Sequence, residues 1–151
     1  MQTTFTINRT ARNTISKLLE SHSLEQLNKI PDGFSNNLIW NIGHVVVVQQ
    51  MLTYKLSGLP MMISDEMVAK YMRGTKPEDL VTQGEVDQIR ELLFATLEQT
   101  QKDFDAAIFK EYQEFTTMSG FTVKNAKDAM EFNNYHEGVH TGIMMRIRKF
   151  L

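Results

Sequence analysis

The chain has 151 residues, with 42% hydrophobic and 23% charged content, which suits one domain, residues 1–151, with a sizeable core. A formal net charge of -2 gives no field that would select nucleic acid or an anionic membrane surface. There are no cysteines, which excludes disulfides, thiolate metal ligands and a cysteine nucleophile, so any chemistry uses nitrogen and oxygen groups or a thiol carried in by a substrate.

The N-terminal stretch "MQTTFTINRTARNTISKLL" lacks the apolar run of a signal peptide, and nothing in the chain approaches the ~20 apolar residues of a membrane span. A cytoplasmic protein is expected. Ile7, Ala11, Ile15, Leu18 and Leu19 recur at helical spacing and predict a first helix over 6–20. Ser23 to Gln26 reads as a capping box opening a short helical piece, and Pro31 to Phe34 as a turn. Ser35, Asn36 or Asn37 then caps a second helix running to about Leu56, with Gly58 as its stop.

Residues 61–83 are less regular. They hold four of the ten methionines, a break at Gly74 to Pro77 and one short helix near 66–72, and they read as a long crossover. A third helix is expected over 85–107, with Val86, Ile89, Leu93, Leu97 and Phe104 on one stripe. "FTTMSGFTV", Phe115 to Val123, reads as an irregular or extended link, and the last helix covers about 124–150. Four long helices joined by short and long links define an all-α class, a four-helix bundle with a long crossover after the second helix.

The histidines carry the chemistry. On the last helix Ala129, Asn133, His136, His140, Met144, Ile147 and Leu151 step by three or four, so His136 and His140 share the core-facing stripe. At i and i+4 their rings can grip one ion, whereas as plain core residues each would need partners to offset its desolvation. In "IWNIGHVVVVQQML" the stripe Trp40, His44, Val47, Met51 and Tyr54 turns His44 inward as well. Three neutral imidazoles make a ligand set for a first-row divalent ion, with positions left open for water or substrate. His22 sits in the break after the first helix and reads as solvent-facing or as a helix-end residue.

His136-Glu137-Gly138-Val139-His140 also fits the H-E-x-x-H pattern of zinc proteases. In the extended form of that motif Ile143 and Arg146 stand where a glycine and a third histidine belong, and "TGIMMRIRKFL" after His140 offers no Asp, Glu or His. The third ligand must then come from upstream, which favours His44. Glu137 is a candidate proton acceptor or ligand-orienting partner, or else a charged residue at the edge of the stripe. Asn41, one turn before His44, is a candidate for orienting substrate or transferring protons. Thr117 and Ser119 are candidates for the pocket border. Gly43, Gly138 and Gly142 are explicable if helices approach closely beside the histidines.

"NNLIWNIGHVVVVQQMLTYKLSGLP" and "NNYHEGVHTGIMMRIRKFL", together with the order of elements, resemble the DinB/YfiT-like superfamily of small helical metalloenzymes. The resemblance implies a three-histidine site at His44, His136 and His140, usually holding nickel or zinc. It also implies a four-helix bundle, often a homodimer, and chemistry in which the metal activates a low-molecular-weight thiol for S-transfer or isomerisation. The expected function is therefore a metal-dependent enzyme that activates water or a thiol cosubstrate for attack on a small electrophile, without nucleic-acid or membrane partners. The competing expectation is a non-catalytic metal-binding or dimerisation bundle.

Overall fold

A computed structural model of the chain describes residues 1–151. The first helix, α1, spans Gln2–Glu20, and α2, Leu24–Asn28, starts at the Ser23/Gln26 capping box with both reciprocal hydrogen bonds made. Helix α3, Leu38–Thr53, is capped by Asn37, whose side chain accepts from the Trp40 amide. It ends earlier than expected from the sequence. A 3₁₀ turn, Lys55–Ser57, follows, and Gly58 closes the element at φ 67°, a left-handed conformation that glycine adopts without Cβ strain. Helix α4, Asp65–Tyr71, is capped by Ser64, and α5, Gln83–Asp105, by Thr82. Strands β1, Phe115–Thr116, and β2, Thr122–Val123, pair antiparallel, with Phe115 opposite Val123. Helix α6, Ala126–Ile147, is capped by Asn125 and runs into a 3₁₀ turn, Arg148–Phe150.

The fold is mostly helical, with one two-stranded sheet. No helix is long and apolar enough to cross a membrane. Helix α3 lies at the centre, against α6, α5 and α4, and α1 covers α5 and α6 on the other side. Its run of Leu, Ile and Val explains the position: fourteen of its sixteen residues are buried, as expected of a helix that is apolar all round. The main core joins Ile15 and Leu19 of α1, Ile39, Ile42 and Val46 of α3, Leu93 of α5 and Met144 of α6.

Helix α1 corrects the sequence reading in two respects. It begins four residues earlier, with Phe5 buried, and its inner face holds Ile15, Leu18 and Leu19 as expected but not Ile7, which is 51% exposed. The buried stripe is Phe5, Asn8, Arg12, Ile15 and Leu19. Polar residues can stand there because α6 supplies partners: Asn8 donates to Asn134 Oδ1, and Arg12 pairs with Glu137.

Candidate metal centre

His44 comes from the middle of α3, and His136 and His140 project from consecutive turns of α6, which packs directly on it. One ring nitrogen from each lies within 4.8 Å of the other two. Ring centroids are 5.1 Å apart for His44–His136 and 4.6 Å for both His44–His140 and His136–His140. No fourth His, Asp or Glu joins the cluster.

The hydrogen bonds decide which nitrogens are free. Nδ1 of His44 lies 2.7 Å from the Tyr71 carbonyl oxygen, which can only accept, so this nitrogen carries the proton and Nε2 is a bare lone pair. Nδ1 of His140 lies 2.8 Å from Asn41 Oδ1. The Asn41 amide nitrogen donates to Asn36 Oδ1 and the Asn37 carbonyl, which fixes Oδ1 as the atom facing the imidazole. Nδ1 of His140 therefore donates too, and its Nε2 is left as an acceptor. Nε2 of His136 stands 3.3 Å from Nε2 of His44, while its buried Nδ1 has no hydrogen-bond partner. Two ligands held at roughly 2.1 Å in tetrahedral geometry sit roughly 3.4 Å apart, so the His44–His136 pair is already at ligating separation. The donor set thus fits a divalent ion, with fixed tautomers on two of its three members.

Burial keeps the imidazoles neutral, as ligands must be. It lowers the pKa of His44, and it takes His136 down to about 3, helped by repulsion from His140 and His44. His140 falls to about 4, from burial first and then from His44. Because an unfolded histidine titrates near 6.5, the unfolded chain binds more protons than the native one between about pH 6.5 and pH 3. Stability is then intact above pH 6.5 and is lost as pH falls through this window. Urea unfolding of the metal-free protein should show a midpoint that drops over this range, and His136→Gln should flatten the drop. An unchanged slope in the variant would mean that this histidine is solvated.

The supports of the site explain one of the three glycines singled out from the sequence. A Cβ on Gly43 would meet the Tyr71 ring at 2.6 Å. The close approach is thus made by α4, and it brings the Tyr71 carbonyl to His44. Thr75 adds a second clasp by accepting from Trp40 Nε1, and the Trp40 indole stacks on His44 at 4.7 Å. Gly138 and Gly142 have nothing near them and lie on the surface, so close packing does not account for them.

Glu137 is likewise not at the edge of the stripe. It is fully buried on the face of α6 turned to α1, where Arg12 Nη2 donates to its Oε1 at 2.8 Å and Asn133 donates to the same oxygen. Arg12 also donates to the Leu93 carbonyl and to Thr96 of α5. The carboxylate is consumed by this network and bonds none of the three imidazoles. Asn41 is buried beside the site and orients His140. His22 caps the end of α1, its Nδ1 2.7 Å from the Leu18 carbonyl, away from the cluster.

His44 and His136 form part of the wall of a cavity of about 320 Å³. Val48, Met51 and Leu52 of α3, Phe132 and Tyr135 of α6, and Phe115 of the hairpin make most of it apolar. Thr117 and Ser119, expected at the border, both line it, and so does Arg73, which sequence reasoning did not single out. Size and lining suit a small organic molecule.

The family model described as the DinB superfamily matches residues 8–144. The chain belongs to the DinB superfamily, as its two histidine segments led one to expect. Among curated proteins, none matches the chain in sequence.

Proposed function

We propose that the protein is a metal-dependent enzyme in which His44, His136 and His140 hold one divalent ion, zinc or nickel, at the inner wall of the apolar cavity. The observation that carries this reading is the 3.3 Å approach of two imidazole Nε2 atoms, the His44 one a bare lone pair, on helices 92 residues apart in sequence. A bound ion with three neutral ligands keeps its full charge and supplies Lewis acidity that lowers the pKa of a water or thiol. The chain's own groups do the rest. The Tyr71 carbonyl and Asn41 hold His44 and His140 in the ligating tautomer. The apolar walls grip a small electrophile. Since the chain has no cysteine, a reacting thiol belongs to a cosubstrate.

The lack of a fourth protein ligand favours catalysis over a structural ion, because structural sites close their coordination sphere. Glu137 drops out as proton acceptor in this reading, since its carboxylate is held by Arg12. The helices α1, α3, α5 and α6 form a single-domain four-helix bundle of the DinB type, with residues 54–82 as the crossover, and the active form is a cytoplasmic homodimer. Protein purified without a histidine tag should contain close to one zinc or nickel ion per chain by elemental analysis. Failure to take up either ion after reconstitution would remove the metal site and the enzyme with it.

A further inference from the structure

Thirteen residues line the cavity beside the histidines, and Arg73 is the one charged side chain among them. Four other basic residues are matched with acids: Arg9 with Glu98, Arg12 with Glu137, Lys70 with Glu85 and Arg90 with Asp87. Arg146 lies over the Phe150 ring. Arg73 has no ion pair. No carboxylate lines the cavity to repel an anion, and the nearby acids Glu66, Glu78 and Asp79 line a separate one with Lys70 and Lys76. An unpaired guanidinium at an apolar wall presents a planar fork of donors that matches a carboxylate bidentately.

We infer that Arg73 is a specificity-determining residue and that the substrate is a small organic anion, a carboxylate on an apolar body. The carboxylate meets the Arg73 fork, the body fills the space between Met51, Leu52, Phe115 and Phe132, and the reacting end lies toward His44 and His136. Only the placement of the reacting end rests on the metal-site reading proposed above. Arg73 reaches this wall because α4 docks on α3 and the chain leaves it at Tyr71, two residues before the arginine.

The test uses 4-phenylbutyrate and its uncharged analogue 4-phenylbutyramide, titrated calorimetrically into zinc-loaded and metal-free protein. The acid should bind roughly tenfold tighter than the amide to both forms, the low end for a charge-assisted contact. In Arg73→Gln the ratio should fall to about one, and in Arg73→Lys it should lie between. Zinc uptake should be unchanged in both variants. An acid preference that survives Arg73→Gln overturns the assignment, as does one that vanishes on metal removal, which puts the carboxylate on the ion. Absence of binding by either compound to wild type also overturns it. Protein that takes up no zinc yet shows an Arg73-dependent preference leaves the anion site standing and removes the metal reading; the converse removes Arg73 alone.

Discussion

Replacing His44 by alanine should abolish metal-dependent stabilisation while leaving the helical fold in place. A ligand that binds only the native state, present at 100 times its dissociation constant, adds about 2.7 kcal/mol to stability. For a chain of this size each kcal/mol moves the melting temperature by about 2–4 °C, so wild type should gain about 5–11 °C with saturating zinc or nickel. His44→Ala should gain less than about 1 °C, because the remaining His136 and His140 form a weak two-ligand site. The far-UV circular dichroism of the metal-free variant should match wild type, since α3 is held by apolar neighbours on every side. A melting shift as large as that of wild type would mean that His44 is no ligand. Collapse of the helical signal in the metal-free variant would make the residue structural.

Arg12→Met should be the most damaging single change away from the histidines. Both members of the Arg12–Glu137 pair are fully buried, and the guanidinium also satisfies the Leu93 carbonyl and Thr96. Removing one partner strands a buried charge, at a cost of about 3–5 kcal/mol. That is a large part of the ~5–15 kcal/mol that holds a domain of this kind together. Urea denaturation of the metal-free protein reads the loss directly as a lower midpoint with an unchanged slope. Arg12→Met combined with Glu137→Met should recover much of it, because apolar replacement of a whole buried pair is close to neutral. A cost below about 1 kcal/mol for the single variant would show the pair to be hydrated and replaceable.

Helix ends were the easiest features to read from the sequence, because capping chemistry is local. Ser23 with Gln26 and the left-handed Gly58 stand where their side chains, or lack of one, dictate. The three histidines were legible for a related reason: four-residue spacing on α6 and an inward stripe on α3 leave few ways for the rings to miss one another. The inner face of α1 was legible from Ile15 to Leu19 but not in its first half. Apolar periodicity weighs Ile7 and ignores Asn8 and Arg12, yet the polar pair is buried and the isoleucine is exposed, because the partners of the polar groups lie more than 120 residues away on α6. The same bias left Glu137 as either a partner of the histidines or a charge at the edge of the stripe, and missed its burial against α1. Helix α6 in fact buries two faces, one toward α3 and one toward α1, and a single-stripe reading admits only one. The partner of His44 left no trace at all, since every residue has a backbone carbonyl, and only the path of residues 54–82 brings that of Tyr71 to the ring. Arg73 was hidden by the same path.

That carbonyl ties two events together. Tyr71 reaches α5 through its hydroxyl, which donates to Glu85 at 2.6 Å, while its backbone oxygen holds the His44 ring. If the three imidazoles take up an ion as proposed, the seating of this connection and metal binding are coupled equilibria, and each must favour the other by the same factor. In the proposed metal-bound form, whatever loosens this connection, whether a denaturant or a substitution within it, would also weaken the hold on the ion.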